Sequence, residues 1–359
     1  MKFFHNKKGI YEVIGAILSA IFWATGGVIL TIFTYFLNQT SNSIGTLRFG
    51  IITAFFIELF MLLWSLILVP IIKKKTNVIL LIPFKNRKIW ILLLSSFLGA
   101  PLGTAMYWLS LMEIGAYKAT SISTVFPIFS TMCVYLFLKR KSSWNSIVGL
   151  FIAIVAAVSF GIIASWNEPN SWKGYLYIAI AIISWGLEAF LSSISLENDI
   201  DPYVSIFLRS LVSIITYICI LLPSFGAYNW DYGISIYSKS VSNYFYLLVL
   251  IGLFTCISFM LYYRALNNLS VSKATSINIT YSFWTMIFEP VLLLFDKMWK
   301  PYEWYIYLIG FTILIGAIFG LLDFSKLKLK KKSVDDESSI SSQKKQQFNE
   351  SNCNSSDVH

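Results

Sequence analysis

The residues with the clearest chemistry are three carboxylates that lie inside long apolar stretches of the chain, Glu58, Glu188 and Glu289. On insertion scales a charged side chain at the middle of a bilayer costs about 2.5–3.5 kcal/mol, so it normally faces water or an opposite charge. Such a carboxylate can bind a cation, take up a proton or pair with an arginine. These three residues are therefore the first candidates for a functional site.

Polar side chains recur at helical spacing in the segment that ends at Glu289. Thr275, Asn278, Ser282, Thr285 and Glu289 follow one another at intervals of three or four residues. That spacing places them on one face of a helix. The stripe favours a water-accessible cavity. The alternative is close helix packing, in which small hydroxyl side chains share hydrogen bonds worth ~0.6 kcal/mol each.

Other kinds of site lack the residues they need. The two histidines, His5 and His359, lie near the ends of the chain, so neither a histidine base nor a histidine-ligated metal is expected in the apolar segments. The four cysteines form no Cys-x-x-Cys pair, and no Gly-Lys-Ser/Thr phosphate loop occurs. We therefore predict a protein that is not an enzyme and that uses no metal and no cofactor.

The elements that position these residues are predicted to be membrane-spanning helices. Apolar residues make up 57% of the chain and charged residues 13%, whereas soluble domains are about 45–50% apolar. A helix needs about 20 apolar residues to cross the hydrocarbon layer. Ten spans are predicted at Val13–Phe36, Ile44–Ile72, Ile89–Met112, Tyr117–Phe137, Trp144–Ala164, Trp172–Ser193, Tyr203–Leu222, Tyr244–Ala265, Lys273–Phe295 and Tyr302–Leu322.

Lysine and arginine are concentrated in alternate connections between the spans. Runs at 73–75, 85–88, 139–141 and 326–332 fall on one side, and only scattered lysines fall on the other. The positive-inside rule then predicts a multi-pass protein of the cell membrane with both termini in the cytoplasm. The connection with Glu197, Asp199 and Asp201 departs from this pattern, but acidic residues weigh little in the rule. The net charge of +10 is assigned to the membrane surface, and no nucleic acid is expected as a partner.

The chain also contains the same pattern twice. Lys118–Ile122 reads Lys-Ala-Thr-Ser-Ile and recurs 155 residues later at Lys273–Ile277. Two further pairs keep the same order at offsets of 162 and 161, Trp23 with Trp185 and Arg48 with Arg209. Ten spans thus divide into two halves of five, and an odd number per half requires that the halves be inverted in the membrane.

These features are similar to those of the drug/metabolite transporter superfamily and, within it, of the EamA-like transporters. The resemblance rests on the Gly15-to-Trp23 and Gly174-to-Trp185 openings, the Tyr107–Ser121 and Tyr262–Ser276 stretches, Pro127, and Phe288–Pro290. Many members carry a Gly-Glu pair at the ends of the fourth and ninth spans, where this chain has Lys139-Arg140 and Asp296-Lys297. No role is therefore transferred from that glutamate.

The resemblance implies an all-α integral membrane fold of ten transmembrane helices in two inverted five-helix repeats. The expected parts are a cytoplasmic N-terminal segment, 1–12, a first EamA-like repeat, 13–164, a second, 173–323, and a disordered cytoplasmic tail, 324–359. Small residues recur every four positions in the fifth and tenth spans, at Ala153, Ala157 and Gly161 and at Gly316 and Gly320. We interpret them as scaffold contacts or as the surface of a homodimer.

The resemblance also implies that helices one, three, four, six, eight and nine surround a central cavity. It favours Glu188 and Glu289 as cavity residues, whereas Glu58 lies on a peripheral helix and is expected to pair with an arginine or to reach the membrane surface. Aromatic rings on the cavity helices could stack on a planar or cationic organic substrate, with the carboxylates as countercharge. Structural packing is the alternative. The candidate substrate-binding residues are Trp23, Tyr107, Ser123, Trp185, Glu188, Tyr262, Asn278, Tyr281, Ser282, Thr285 and Glu289.

The predicted function is that of a secondary transporter, which moves a small organic solute such as an amino acid or another metabolite by alternating access. Proton coupling, exchange and facilitated diffusion are all compatible with this function, and the expected partners are the solute and the lipid bilayer. The alternatives are an integral membrane enzyme that acts on a lipid, and a channel. The lack of intramembrane histidine disfavours the enzyme, and tryptophans on spans one, six and nine disfavour a continuous pore.

Overall fold

The computed structural model describes residues 7–40, 47–74, 81–114, 116–140, 142–164, 171–197, 200–228, 242–294 and 303–321. Within these residues the secondary structure is helical. The helices are α1 (Lys7–Thr40), α2 (Leu47–Lys73), α3 (Lys88–Phe97), α4 (Thr104–Ile114), α5 (Ala116–Ser123), α6 (Phe126–Leu138), α7 (Trp144–Ala164), α8 (Trp172–Leu196), α9 (Pro202–Thr216), α10 (Leu222–Ser224), α11 (Phe245–Asn268), α12 (Val271–Asn278), α13 (Tyr281–Phe288) and α14 (Trp304–Leu321). The predicted disordered tail, 324–359, lies outside the described residues.

Nine stretches of the described residues are long and apolar enough to cross a membrane, and they coincide with nine of the ten predicted spans. The remaining span, Lys273–Phe295, is divided between α12, α13 and a 3-10 turn at Glu289–Leu294. Helix α1 begins at Lys7, before the predicted Val13. It reaches further because Glu12 is buried against Arg264 of α11, so this end of the helix is held by a partner.

Helix packing repeats between the two halves of the chain. Helix α1 packs along α11, and the equivalent helices of the other half, α8 and α4, pack in the same way. The contact of α13 with α1 likewise corresponds to that of α6 with α8, and the contact of α5 with α7 corresponds to that of α12 with α14. Each contact therefore has a counterpart in which the roles of the two halves are exchanged. The pairs α2–α9 and α7–α14 join the halves. The fold is thus an all-helical membrane bundle built from two related repeats.

The small residues of the fifth and tenth spans meet inside the chain. A Cβ atom added to Gly149 of α7 would lie 2.4 Å from the Gly316 carbonyl oxygen and the Gly320 nitrogen of α14. Ala153 and Ala157 are buried in the same helix. The small side chains therefore allow two helix backbones to touch, as in the scaffold interpretation. A homodimer through these faces stays a prediction.

Two of the helical spans are interrupted at equivalent places. The first break is a turn at Thr124 and Val125 between α5 and α6, and the second is a turn at Ile279 and Thr280 between α12 and α13. The two breaks are 155 residues apart (279 − 124), the offset of the sequence repeat. Pro127 explains the first break, because proline has no backbone N–H to donate and its ring clashes with the preceding turn of a continuous helix. Discontinuous helices of this kind form binding sites in many transporters.

Candidate functional site

A deep cavity lies between the two halves of the bundle. Its volume is about 60 Å³, which is room for a few water molecules or for one small group of a solute. The lining residues are Trp23, Tyr107, Ser123, Phe126, Trp185, Glu188, Ala189, Ser258, Phe259, Tyr262, Asn278 and Tyr281. The cavity is therefore mainly aromatic, with a few hydroxyl and amide groups and a single carboxylate.

Eight of the lining residues form four pairs related by the sequence repeat. The pairs are Trp23 with Trp185, Tyr107 with Tyr262, Ser123 with Asn278, and Phe126 with Tyr281. The last two pairs flank the helix breaks directly. Ser123 and Phe126 lie on either side of the first break, and Asn278 and Tyr281 lie on either side of the second. Glu188 breaks the symmetry, since its counterpart 162 residues earlier is Gly26. The cavity thus surrounds the point where equivalent segments of the repeats meet, and one half alone supplies the charge.

A wider outer cavity of about 380 Å³ adjoins the deep one, a size common for small-molecule sites. Both cavities are lined by Trp23, Tyr107 and Tyr281, which we call the aromatic collar. Tyr107 and Trp185 are 5.1 Å apart between ring centroids, and the Tyr281 hydroxyl lies 3.4 Å from Ser123 Oγ. The collar therefore stands between the deep cavity and the outer one.

The structure places all eleven candidate site residues along these two cavities. Trp23, Tyr107 and Tyr281 line both; Ser123, Trp185, Glu188, Tyr262 and Asn278 line the deep cavity; Ser282, Thr285 and Glu289 line the outer one. The predicted polar stripe is thus shared between two cavities by the break at residues 279 and 280. Thr275, which began that stripe, is fully buried and donates to the Val271 carbonyl of its own helix. Roles in substrate binding stay predictions for all eleven.

Two glycines of the third span allow Trp185 and Glu188 to reach their positions. The chain between α3 and α4 forms a π-helical turn at Leu98–Gly103, a distortion that recurs at functional sites. A Cβ atom on Gly99 would lie 1.9 Å from the Glu188 carboxyl carbon, and one on Gly103 would lie 2.7 Å from the Trp185 indole. The Trp185 indole nitrogen donates to the Gly99 carbonyl at 3.1 Å. Glycine is required at both places by close approach.

Behind the deep cavity, Glu188 belongs to a buried charge cluster. Arg209 Nε of α9 donates to Glu188 Oε1 at 2.7 Å, and Arg209 Nη1 lies 3.3 Å from Glu58 Oε1 of α2. The Tyr263 hydroxyl donates to Glu188 Oε1 at 2.9 Å. The Arg209 guanidinium also lies over the Phe259 ring, 3.9 Å from its centroid. Glu58 therefore pairs with an arginine, as one of the two sequence interpretations expected, and that pair connects it to the cavity.

Sequence reasoning missed the importance of Arg209, which is only 1% exposed. The repeat paired it with Arg48, whose Nε instead donates to the Phe225 carbonyl oxygen at 2.9 Å. A signal was present in the sequence, because a single arginine within an apolar helix requires a carboxylate partner. Phe126, Ser258 and Phe259 were also missed, since nothing separates them from other apolar-helix residues in the sequence.

The end of the bundle that carries Lys73, Lys88 and Arg140, here the basic end, has ion pairs that link the two halves. Lys73 pairs with Asp201, and Arg140 pairs with Glu197, with Nη2 3.0 Å from Oε2. Lys88 Nζ donates to the Glu197 carbonyl oxygen at 3.1 Å. The Arg140 guanidinium holds the pKa of the Glu197 carboxyl below its usual value. The acidic connection at residues 197–201, which departed from the positive-inside rule, thus supplies partners for basic residues. Asp199 of this connection lies outside the described residues.

A third ion pair links the two halves at the same end. Arg264 Nε and Nη2 donate to the Glu12 carboxylate at 3.0 and 2.9 Å, and Nη1 lies 3.4 Å from the Tyr203 hydroxyl. Trp23 lies eleven residues from Glu12 and eleven from Thr34, or about 16 Å of helix in each direction. Thr34 lines the outer cavity. The cavity system thus extends from the middle of α1 towards the end opposite to the basic end.

Comparisons with known proteins agree with this architecture. Protein LicB of Haemophilus influenzae is 27% identical over 271 residues, which are 75% of this chain and 85% of that protein. A solved crystal structure superposes with a TM-score of 0.62 at 12% identity, covering 87% of this chain and 96% of the other, which supports the fold alone. The EamA-like transporter family matches residues 10–162 and again residues 172–322. The chain therefore belongs to the EamA-like transporter family.

Proposed function

We propose that this protein is a secondary transporter of a small organic cation, which it moves across the cell membrane by alternating access between two inverted repeats. The observation that carries the proposal is the deep cavity between the repeats, in which four related residue pairs surround one carboxylate, Glu188. Aromatic faces and a carboxylate are the groups that bind organic ammonium ions. No lysine or arginine occurs among the described residues that line either cavity.

An amino acid fits this site less well. Its ammonium group would suit Glu188, but its carboxylate would need a cationic partner. Arg209 is the cation next to the cavity, and both Glu58 and Glu188 already pair with it. The Tyr262 hydroxyl is buried and finds no partner among the described residues. It offers one hydrogen bond to a polar group on the solute, as a hydroxylated cation would provide.

The two ends of the bundle support alternating access. The outer cavity extends away from the basic end, while the Glu12–Arg264, Lys73–Asp201 and Arg140–Glu197 pairs hold the basic end closed. In the opposite state these pairs separate and the aromatic collar closes over the solute. Rocking of two repeats about a site at their interface produces this exchange.

Counterflow in proteoliposomes tests the function. Vesicles loaded with tetramethylammonium should accumulate labelled tetramethylammonium from outside, and tert-butyl alcohol, which is uncharged and of similar size, should not compete. Trp185→Leu should weaken binding by roughly 2- to 30-fold, because one cation–π contact is worth about 0.5–2 kcal/mol. Glu303→Gln, at an exposed residue outside both cavities, is the matched control for Glu188→Gln, which should abolish counterflow. Accumulation of alanine but not of tetramethylammonium would refute the cation assignment.

The proposed orientation places both termini and the basic end in the cytoplasm. In a variant without native cysteines, single cysteines are introduced as Arg87→Cys at the basic end and as Glu303→Cys at the opposite end. Both positions are exposed. A membrane-impermeant maleimide added to intact cells should label residue 303 and should label residue 87 only after permeabilisation. The reverse result contradicts the orientation.

A further inference from the structure

Two buried carboxylates share a single guanidinium beside the deep cavity. Glu58 is 4% exposed, Glu188 5% and Arg209 1%. If both carboxylates are ionised, the three side chains carry one net negative charge within the apolar part of the bundle. An uncompensated charge in such surroundings is costly. The cluster therefore requires one further positive charge, either a proton or a cation in the cavity.

The hydrogen bonds of the two carboxylates differ. Glu188 Oε1 accepts from Arg209 Nε at 2.7 Å and from the Tyr263 hydroxyl at 2.9 Å, and Glu188 borders the cavity. Glu58 receives one longer bond, 3.3 Å from Arg209 Nη1, and its Oε2 is buried without a partner among the described residues. Hydrogen bonds to a carboxylate favour its ionised form. The surroundings therefore favour the ionised form of Glu188 more than that of Glu58, so a proton shared by the cluster should bind to Glu58.

The groups that face Glu58 supply no second cation. They are Arg209, Ser213 and Tyr217 from the ninth helix and its continuation, Glu188 from α8, and Cys256 from α11. Arg209 alone among them is positively charged, and it is divided between two carboxylates. Ser213 Oγ lies beside the Glu58 carboxyl group without a hydrogen bond of normal geometry among the described residues. Its hydroxyl can therefore donate to an ionised Glu58 or accept from a protonated one.

From these observations we propose that Glu58 is the proton-binding site of this transporter and is coupled through Arg209 to Glu188. With Glu58 protonated, Arg209 and Glu188 neutralise each other and the cavity has no net charge. With Glu58 ionised, Arg209 is shared and Glu188 has negative charge available for a cation. Binding of one organic cation therefore releases one proton from Glu58 to solution. This inference rests on the proposed function, whereas the proton site itself can be tested without a ligand.

The first experiment is an infrared titration of the ligand-free protein in detergent. The carbonyl band of a protonated, buried carboxylic acid should appear in the parent protein as pH falls. It should be absent in Glu58→Gln. It should also be lost in Glu188→Gln, because Arg209 then has one carboxylate and keeps it ionised. The band should persist in the control Glu303→Gln. Absence of the band from the parent, or its survival in Glu58→Gln, overturns the proposal.

The second experiment counts protons released when tetramethylammonium binds in weakly buffered solution. One proton per bound cation is expected in the parent. At pH values below the Glu58 pKa, the apparent Kd should fall up to tenfold for each unit of pH increase. Glu58→Gln, which mimics the protonated state, should release none and should bind weakly at every pH, and Glu58→Asp should restore the release. Binding without proton release refutes the coupling but leaves the transport proposal intact. Failure of tetramethylammonium to bind, with the infrared band behaving as expected, refutes the substrate class and leaves the proton site standing.

Discussion

Replacing Gly99 by alanine tests whether Glu188 must occupy its place between the cavity and Arg209. The new methyl group would start 1.9 Å from the Glu188 Cδ and Oε2 atoms. An ordinary contact begins near 3.4 Å, so the carboxyl group has to move by about 1.5 Å. The Arg209 Nε–Glu188 Oε1 bond is 2.7 Å and has only about 0.5 Å to lengthen before it leaves the normal range. The substitution therefore strains or breaks that bond.

Two contributions set the expected magnitude. Overpacking of a well-packed interior costs about 1–3 kcal/mol, and separation of a buried ion pair costs up to about 3–5 kcal/mol. We expect Gly99→Ala to lower stability by roughly 2–5 kcal/mol and to weaken tetramethylammonium binding at least tenfold. Thermal unfolding in detergent, followed by intrinsic fluorescence, and calorimetric titration measure the two effects.

Gly15→Ala is the matched control for this substitution. Gly15 lies outside both cavity linings, and among the described residues a Cβ atom there would meet only Leu261 Cδ2, at an ordinary 3.9 Å. Alanine is also the better helix former by about 1 kcal/mol, so this variant should be as stable as the parent or more stable. If Gly99→Ala behaves like Gly15→Ala in both assays, the close packing of Glu188 on the π-helical turn does not hold the site.

Three further predictions concern other parts of the fold. Tyr263→Phe should cost about 1.5–3 kcal/mol in unfolding experiments, because it removes a hydrogen bond to the buried Glu188 carboxylate; an unchanged melting temperature would contradict this. Gly149→Leu should prevent recovery of monodisperse protein, because its side chain would collide with the backbone of α14; normal yield and melting would show that α7 and α14 can separate. Glu197→Gln should cost under about 1 kcal/mol at neutral pH, since the pair with Arg140 is largely exposed. The pKa of Glu197 is lower in the folded protein than its ordinary value of 4.5. Its contribution to stability is therefore present above pH 4.5 and is lost as pH falls through the folded-state pKa, so parent and variant should melt alike in acid.

Much of the site could be predicted because the repeat is visible in the sequence. The offsets relate Trp23 to Trp185 and Tyr107 to Tyr262, and the family resemblance placed all four residues on cavity helices; all four line the deep cavity. Internal repetition marks the interface at which transporter sites form. Helical spacing gave less information for the ninth span, where the turn at residues 279 and 280 sends one stripe of polar residues to two cavities. Pro127 signals the break in the first half, but no proline marks its counterpart.

The role of Glu58 shows the limit of the same reasoning. It lies on a helix expected to be peripheral, and its arginine partner is 151 residues away along the chain. Sequence periodicity describes one helix at a time and does not specify which helices cross. The contact of Gly99 with Glu188 is hidden for the same reason, because the two residues lie on different helices that only packing brings together.

The sequence by itself determined the membrane class, the helical spans and the two-repeat organisation, because hydrophobic length and repetition are properties of the chain. It also identified five of the seven aromatic residues that line the deep cavity, but not Phe126 and Phe259. Only the tertiary structure decided that Glu58, Arg209 and Glu188 form one charge cluster, that glycines make room for the Glu188 carboxylate, and that ion pairs link the two halves at the basic end. Those features depend on distances between helices. Such distances follow from the packing of side chains over the whole bundle, which no local pattern in the sequence records.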